Sequence, residues 1–386
     1  MPRKFPPFDT TILTGSQERF YQTDDLADTS PATRIPAAPR SHNLSSDNHC
    51  PIGDQAAGYA VLGMVGSDGP VPKRKVSRPN WLMSAFLQRG MLTLPNEVLK
   101  LDCIVLVSHS LTRVVLAFLA IVGAALLLDA AWLEPSSIRL DRYEISVAAP
   151  QLKGLKIAII SDLHAGAPYI DDRKISDIVS LTNAAKPDLV LLTGDYIIND
   201  MLGGRRMPIE AIAKHLKLLR APLGIHAVLG NHEHYEGAAR HITNVLQASR
   251  ISVLENSHVA IATAKGPFYL VGIGDFHTQS SQPRQALAGL AAAGPAICFT
   301  HSPDVFPLLP AKCALTVAGH THGGQVWLPL LGRPAVGFGI SRYGQRYAIG
   351  LVQEDDKLLF ISSGIGTSGL ALRFGVPPEV SLLMLK

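Results

Sequence analysis

The amino-acid sequence predicts an α/β protein in which a folded domain, residues 140–386, follows one long apolar helix. Two observations lead to this prediction. From about residue 154, short apolar runs alternate with segments of helical period, which is the pattern of parallel strands joined by crossover helices. Ahead of them lies a segment of 20 residues, 114–133, with a single charged side chain. A segment of that length and character is typical of a helix that crosses a bilayer.

The first hundred residues have the composition of a disordered region. Residues 1–100 are rich in Pro, Ser, Asp and Gly and show no sustained hydrophobic period. Such a chain buries too little apolar surface to offset the entropy lost on ordering. We therefore predict that region 1–100 is disordered. Met83 and Met91 are alternative start positions, so the sequence leaves open whether the mature protein contains this region.

The following segment, residues 101–135, is predicted to be a membrane anchor. Between Val114 and Leu133 the only charge is Asp129, and about 20 residues of helix span roughly 30 Å, the hydrocarbon thickness of a bilayer. A buried core helix and a cleaved signal peptide are the alternatives. Seven Lys and Arg residues lie upstream, between positions 73 and 113, whereas the first charge downstream is Glu134. The positive-inside rule therefore predicts a single-pass protein of the inner (cytoplasmic) membrane, with the C-terminal domain on the extracytoplasmic side.

The domain begins with the predicted order strand, helix, strand, helix, strand. The strands start at about residues 155, 188 and 224, and the helices cover 171–185 and 207–221. Later apolar runs have fewer helices between them, which indicates a second, more mixed sheet. These runs cover residues 268–275, 296–304, 314–324, 347–353, 358–366 and 380–385.

Composition and charge exclude few classes of protein. Hydrophobic residues make up 47% of the chain, so a sizeable core is available. The formal net charge of +4 is small for 386 residues, and we expect no nucleic-acid partner. Cys298 and Cys313 lie in apolar runs and are predicted to be small buried side chains, not a disulfide or a zinc site.

Metal-binding residue types follow five of the predicted strands. Ligands of α/β sheets bind beyond the carboxyl ends of the strands, so these side chains are expected to share one location. The residues are Asp162 and His164, Asp195, Asn231 and His232, His301, and His320 with His322. A mixed set of Asp, His and Asn binds divalent cations. Seven candidate ligands, without His232, are more than one ion needs. Two ions about 3.5–4 Å apart can activate water and hold a phosphoryl group for in-line attack.

The motifs, in the order DLH, GDY, GNHE, THSP and GHTHGG, resemble those of the calcineurin-like metallophosphoesterase superfamily. The resemblance covers about residues 154–386. The segments GHTHGGQVWLP and SSGIGTSGLALRFGVPPEVSLLML are similar to those of its bacterial membrane-associated or exported phosphodiesterase-like branch. The resemblance implies an αββα sandwich of two mixed sheets flanked by helices.

The resemblance also implies a role for each candidate. Two ions are implied, each with three ligands of its own: Asp162, His164 and His322 for the first, and Asn231, His301 and His320 for the second. Asp195 would bridge both ions, which a carboxylate can do and an imidazole cannot. His232 would donate a proton to the leaving oxygen, with a structural role beside the ligands as the alternative. Mn²⁺, Fe or Zn²⁺ are expected because imidazoles are prominent.

The predicted function is a dinuclear phosphoester hydrolase, a phosphodiesterase rather than a monoesterase. The segment GDYIIND lacks the arginine of the GDxxDRG motif, which argues against a serine/threonine phosphoprotein phosphatase. A lipid-linked or nucleotide-sugar phosphodiester is the expected substrate of an enzyme near a membrane. The alternatives are a non-catalytic metal-binding or interaction module and a nuclease. The complete set of ligand positions argues against the first, and an aromatic content of 6% against the second. The oligomeric state is not predicted.

Some residues near the motifs are left with open roles. Arg373 either contacts substrate anions or is an exposed, solvated side chain. His234, Asp275 and His277 are interpreted as partners of the ligands or as surface residues. The glycines around His320 and His322 are expected to let the backbone and a phosphate approach closely.

Overall fold

The structure is a computed structural model that describes residues 96–386 apart from positions 200, 236, 291–293 and 339, with the backbone alone for 96–107, 337 and 338. The predicted disordered region lies outside the described residues up to position 95, but its last five residues, 96–100, belong to a helix, so the prediction is wrong for them.

A long apolar helix precedes the domain. Helix α1, Asn96–Leu128, continues as a π-helical turn, Asp129–Leu133, and a short helix α2, Glu134–Ser136. Within the segment Ser108–Ser136 the most apolar stretch has a mean hydropathy of 2.5, and no residue of this stretch is buried. By length and composition it can cross a membrane, and it contains the predicted 114–133 segment. Because it is exposed, the alternative of a buried core helix is wrong.

The described part of the domain contains five further α-helices: α3, Asp172–Ala184; α4, Ile209–Leu216; α5, Asn231–Tyr235; α6, Ala239–Ala248; and α7, Pro283–Ala286. Helix α3 begins where the carboxylate of Asp171 accepts a hydrogen bond from the Lys174 N–H at 2.8 Å, which caps a free donor of the first turn. Its buried residues Ile175, Ile178 and Val179 recur at helical spacing, so one face of the helix packs on the sheet.

Within the described residues, twelve strands form two six-stranded sheets. They are β1, Arg139–Ile145; β2, Lys156–Ile160; β3, Leu189–Leu192; β4, Ile225–Ala227; β5, Ser252–Val253; β6, Ser257–Ile261; β7, Phe268–Ile273; β8, Ala296–Thr300; β9, Cys313–Ala318; β10, Gly350–Glu354; β11, Lys357–Ile361; and β12, Glu379–Leu385. The first sheet has the order β1-β12-β2-β3-β4-β5 and the second β10-β11-β9-β8-β7-β6. Each sheet contains parallel and antiparallel pairs.

The main core lies between the two sheets. In β2, Ile157 and Ile159 point into this core and meet residues of the second sheet such as Phe299. The alternate residues Ala158 and Ile160 point to the layer of α3, α4 and α6. This alternation follows from the two-residue period of a strand. Each aliphatic side chain buried in this way contributes about 1.5–3 kcal/mol. The predicted αββα sandwich of two mixed sheets is confirmed.

Cys298 and Cys313 form a disulfide, so the prediction that they are unpaired is wrong. Their Cα atoms lie 5.5 Å apart. The neighbouring strands β8 and β9 bring them together, because Cys313 pairs with Ala296, two residues from Cys298. Both cysteines are buried, as expected. Their spacing along the chain carries no information about which strands are neighbours, and that pairing decides whether they can meet.

Candidate metal centre

All seven predicted ligands and His232 come together at the carboxyl ends of the strands. They follow β2, β3, β4, β8 and β9, as the sequence predicted for five strand ends. Five ligands have a left-handed backbone, with φ between 43° and 70°: Asp162, His164, Asp195, His320 and His322. For residues other than Gly this conformation costs roughly 1–3 kcal/mol each and is found mostly at functional sites. Such a turn directly after a strand redirects the side chain toward the neighbouring strand ends.

The first cluster contains Asp162, His164 and His322. The Nε2 atoms of His164 and His322 are 3.0 Å apart, and His322 Nε2 is 3.5 Å from Asp162 Oδ1. One ligand atom from each of the three residues fits within 4.8 Å of the others. All three side chains are buried. This is the set that the resemblance implies for the first ion.

The second cluster contains Asn231, His301 and His320. His301 Nε2 lies 3.0 Å from Asn231 Oδ1 and 3.1 Å from His320 Nδ1. This is the set implied for the second ion.

Asp195 lies between the two clusters. Its Oδ2 atom is 3.5 Å from His164 Nε2 in the first cluster and 3.2 Å from His301 Nε2 in the second. Asp195 is buried, with 2% of its surface exposed. A carboxylate in this position can contact an ion in either cluster.

Main-chain carbonyl groups orient three of the histidines. His301 Nδ1 lies 2.8 Å from Thr193 O, His320 Nε2 lies 3.0 Å from Ile340 O, and His322 Nδ1 lies 3.2 Å from Gly366 O. A ring nitrogen beside a carbonyl oxygen must carry the proton and donate it. The other nitrogen of each neutral ring therefore has a lone pair, and in each case it points into the cluster. This is how protein groups usually orient histidines that bind metals.

The spacing of these atoms fits bound cations. Nitrogen pairs 3.0–3.1 Å apart match two metal–nitrogen bonds of about 2.1 Å at a right angle. A positive charge between the two nitrogens of such a pair, either a proton or a cation, relieves the repulsion between their lone pairs. The donor set of imidazoles, carboxylates and one amide oxygen suits divalent transition metals.

The charge state of the cluster also favours cations. Burial lowers the pKa of His164 to about 3, although Asp195 opposes this. Burial and then the charge of Arg373 lower the pKa of His322 to about 3. Both rings are therefore neutral, as a metal ligand must be. Burial also opposes the imidazolium form of His301, but the Asp195 carboxylate outweighs it and holds the pKa of His301 well above its ordinary value. Without metal, a proton on His301 supplies positive charge beside Asp195.

His232 lies at the edge of the clusters with one nitrogen facing them. Its Nδ1 atom accepts a hydrogen bond from the Asn199 N–H at 3.3 Å, so the neutral ring carries its proton on Nε2. Nε2 is 3.9 Å from Asp195 Oδ2, and the ring stands edge-on to His164 at 4.6 Å. His164, Asp195 and His232 also satisfy the spacing of a metal site. The geometry therefore leaves His232 two possible roles, proton donor or ligand.

Glu233 is a buried carboxylate to which the sequence analysis gave no role. It accepts hydrogen bonds from the N–H groups of Asp195, Tyr196 and Gly230 at 2.9, 2.8 and 2.7 Å. It thereby joins the loop after β3 to the loop after β4. Burial and then the charge of Asp195 raise the pKa of Glu233 to about 7, while the N–H donors act in the opposite direction. The sequence signal that could have identified Glu233 was its place in the GNHE motif.

Arg373 is fully buried, so its interpretation as an exposed, solvated side chain is wrong. Its guanidinium donates to the carbonyl oxygens of Ser363, Gly366 and Val376. Gly366 O also accepts from His322, so Arg373 supports the loop that orients a candidate ligand. The large cost of burying an arginine is offset by these hydrogen bonds.

Of His234, Asp275 and His277, which the sequence left with open roles, His277 contacts a candidate ligand. The His277 ring lies 4.3 Å from the ring of His320 and lines the cavity. Asp275 is buried and accepts from the Thr278 N–H at 2.8 Å. His234 is half-buried. The interpretation of these residues as surface positions is wrong for Asp275.

The glycine beside His320 allows a close approach of the backbone, as expected, but to another loop of the protein. A Cβ atom at Gly319 would collide with Ser161 Oγ and lie 2.5 Å from Asp162 Oδ2. The missing side chain lets the loop after β9 touch the loop after β2, so that the His320 N–H donates to Asp162 Oδ1 at 3.0 Å. Protein atoms, not a phosphate, fill the space that this glycine leaves.

The centre opens into a cavity of about 500 Å³. Its lining includes Asp195, His232, His320 and His322 on one side and Gln325 and Leu370 on another. Among the described lining residues there is no Lys or Arg. A ligand in this cavity would reach both clusters and His232 together.

Comparison with known proteins assigns the fold and the centre to a family. Residues 155–324 match the family model of the calcineurin-like phosphoesterases. Phosphodiesterase YaeI of Escherichia coli is 31% identical over 255 residues, which are 65% of this chain and 90% of that protein. UDP-2,3-diacylglucosamine pyrophosphatase LpxG of Chlamydia trachomatis is 27% identical over 332 residues, covering 69% of this chain and 96% of that protein. A transmembrane protein with a metallophosphoesterase domain from Danio rerio is 25% identical over 294 residues, covering 72% of this chain and 62% of that protein.

The chain is therefore a metal-dependent phosphoester hydrolase. It belongs to the calcineurin-like phosphoesterase family, as its motifs predicted.

Proposed function

We propose that this enzyme is a phosphodiesterase that holds two divalent ions, with Asp195 as the bridging ligand. Asp162, His164 and His322 would bind the first ion, and Asn231, His301 and His320 the second. The observation that supports this proposal is the convergence of histidine ring nitrogens on the two sides of Asp195. The three rings with carbonyl partners cannot turn away without losing a hydrogen bond, so the site is arranged before any ion arrives.

Two bound ions would supply an activated water molecule and charge neutralisation for a phosphoryl group. His232 would donate its Nε2 proton to the leaving oxygen. The Asn199 N–H on Nδ1 supports this role because it keeps the proton on the nitrogen that faces the cavity. Mn²⁺, Fe or Zn²⁺ are the proposed ions, since imidazoles form more than half of the ligand set.

We propose that α1 anchors the enzyme in the inner membrane as a single span, with the domain on the extracytoplasmic side. The exposed apolar surface of Ser108–Ser136 and the basic residues ahead of it support this arrangement. The substrate would then be a phosphodiester found at that membrane, such as a lipid-linked or nucleotide-sugar phosphodiester. The similarity to a diacylglucosamine pyrophosphatase is in agreement with this substrate class.

The experiment that tests the function uses the full chain, purified in detergent and reconstituted with Mn²⁺, Fe or Zn²⁺. Turnover is measured on p-nitrophenyl phosphate and on methyl p-nitrophenyl phosphate, a monoester and a diester of one alcohol. We expect the diester to be the better substrate. A clear preference for the monoester would contradict the phosphodiesterase proposal, and no turnover of either would favour a binding module. A nuclease receives no support from the described cavity lining, which lacks the basic residues of such a groove.

A further inference from the structure

A rim of exposed apolar side chains stands beside the cavity. We define this apolar rim as Trp327, Leu330, Leu331 and Leu370. Trp327 is 43% and Leu331 68% exposed, and Leu330 is fully exposed. Leu370 also lines the cavity. Large apolar side chains grouped on a surface mark contact with a partner or a membrane, whereas single ones need no explanation.

Hydrogen bonds tie the two loops of the apolar rim together. Gln325 Nε2 donates to Leu370 O at 3.2 Å, and the Trp327 N–H donates to Phe374 O at 2.8 Å. The Phe374 N–H in turn donates to Gln325 O at 2.9 Å. Gln325 also follows directly on the His322–Gly324 turn that carries a candidate ligand. The apolar rim is therefore fixed in position relative to the metal centre.

The end of the apolar helix is attached to the same loop. The Arg373 N–H donates to Ala130 O at 2.9 Å. The carboxylate of Glu134 accepts from the N–H groups of Gly375 and Val376 at 2.8 and 2.5 Å. These contacts lie one or two residues from Phe374, whose carbonyl oxygen accepts from the Trp327 N–H. The helix thus joins the domain next to the apolar rim, with no flexible linker between them.

Two further contacts hold the helix end from another side. Tyr169 Oη donates to Ala131 O at 2.7 Å, and Lys174 Nζ donates to Ser136 O at 2.5 Å. Together with Arg373 and Glu134 they fix the direction in which the helix leaves the domain. The apolar rim therefore has a fixed orientation relative to the end of the helix.

We propose that the apolar rim rests in the bilayer interface, so that the cavity receives the phosphoester of an amphiphilic substrate directly from the membrane surface. This proposal rests on the proposed function and on the proposed anchor. Tryptophan prefers the boundary between water and hydrocarbon, and the exposed residues Trp132 and Trp327 mark that boundary on the helix and on the domain. The acyl chain stays in the bilayer beside Leu370, and the phosphoryl group enters the cavity.

The first test measures the depth of Trp327 in the membrane. The chain contains three tryptophans, so Trp81→Phe and Trp132→Phe leave Trp327 alone in the full-length protein. In phosphatidylcholine vesicles, lipids brominated near the headgroup should quench its fluorescence. The matched control adds Trp327→Phe and Leu308→Trp, because Leu308 is similarly exposed at 61% but lies outside the apolar rim. We expect no quenching in this control variant. Equal quenching of both, or quenching of neither, would overturn the proposal.

The second test compares two diesters with the same leaving group. Methyl p-nitrophenyl phosphate is soluble, and hexadecyl p-nitrophenyl phosphate is embedded in vesicles. The double variant Leu330→Asp, Leu331→Asp should keep kcat/KM on the soluble ester within about twofold and lose about tenfold or more on the embedded ester, because charged side chains no longer enter the interface. Leu308→Asp should change neither rate.

The outcomes separate the two proposals. If the wild type turns over neither diester, the proposed function is contradicted, and the quenching test of the apolar rim still stands by itself. Full activity on both esters in the double variant, with an unquenched Trp327, would overturn the membrane-facing rim and leave the phosphodiesterase intact. A change from dimer to monomer in that variant would assign the apolar rim to a second copy of the chain, which also contradicts the proposal. Where the double variant does not fold, as shown by lost turnover of the soluble ester, the quenching result decides.

Discussion

At the scale of single residues, the surroundings of the two nitrogen atoms of His232 determine which of them can donate a proton. Its Nδ1 accepts from a main-chain N–H, and its Nε2 faces the clusters at 3.9 Å from Asp195. A donor role and a ligand role make different demands on this nitrogen. A donor is needed most when the leaving group is a poor one, whereas a ligand is needed for every substrate.

We predict that His232→Asn leaves metal content near that of the wild type and lowers kcat on an alkyl ester by ~10²–10⁴-fold, the usual effect of general acid–base catalysis. On an aryl ester the loss should be much smaller, because the aryl oxide leaves as a stable anion. The measurement is a comparison of both esters with the metal content of the same samples. His320→Ala serves as the control and should depress both rates and the metal content together.

Equal losses on both esters for His232→Asn, with loss of metal, would show that His232 is a ligand. The proton-donor role would then be wrong, while the phosphoester hydrolase assignment would stand.

Asp195 is the second residue whose position makes a sharp prediction. We expect about two divalent ions per chain in the wild type, because two clusters share this carboxylate. Asp195→Ala should be the most damaging of the ligand substitutions, since it removes a contact to both ions. Elemental analysis after reconstitution measures this directly, with Asp162→Ala as the matched single-cluster control. Well under one ion per wild-type chain would contradict the dinuclear site.

At the scale of elements, the close approach of the loops after β2 and β9 builds the first cluster. Gly319 permits that approach, and the Asp162 carboxylate accepts from the His320 N–H across it. The fold brings the two strand ends near one another, but only a residue without a Cβ lets them touch.

We predict that Gly319→Ala destabilises the protein by about 1–3 kcal/mol, the usual cost of overpacking, and lowers metal content as well. The new methyl group would force Ser161 and Asp162 away from the cluster. Thermal unfolding and elemental analysis test this. Gly289→Ala is the control, since nothing lies within 4 Å of its added Cβ and only its positive φ adds strain. A Gly319→Ala variant with unchanged metal content would contradict this explanation of the glycine.

At the scale of the whole molecule, the helix and the domain predict a direction of insertion. A reporter fused after Lys386 should be active only on the extracytoplasmic side, because the basic residues lie upstream of the apolar segment. Alkaline phosphatase and green fluorescent protein fusions measure the two sides. A fluorescent green fluorescent protein fusion, which would place the C-terminus on the cytoplasmic side, would refute the exported domain. Release of the protein by a salt wash would refute the anchor.

The disulfide between β8 and β9 bears on the compartment of the whole domain. Disulfides persist in oxidising compartments. The bond closes a loop of 15 residues and should stabilise the domain by about 3 kcal/mol. We predict that dithiothreitol lowers the thermal unfolding midpoint of the wild type. The double variant Cys298→Ser, Cys313→Ser should start lower and show no response to the reductant. An identical midpoint with and without reductant in the wild type would contradict the prediction.

Much of the molecule was predictable because its signals are local. Strand alternation, helical period and a long uncharged segment are properties of consecutive residues, and they indicated most of the strands, α3, α4 and the apolar helix. The ligand types at five strand ends were readable for the same reason, since parallel strands end at one edge of a sheet. Strand β1 was missed because its sequence RLDRYEI carries four charges and becomes a strand by pairing with β12.

The sequence by itself determined the layers of the sandwich, the apolar helix and the identity of the candidate ligands. Only the tertiary structure decided how those ligands are aimed. The carbonyl groups that orient His301, His320 and His322 lie between 20 and 108 residues away along the chain. The disulfide between neighbouring strands and the attachment of the helix end beside the apolar rim were also decided by the tertiary structure. Each depends on contacts between residues distant in sequence, and no local period of apolar and polar residues encodes such a contact.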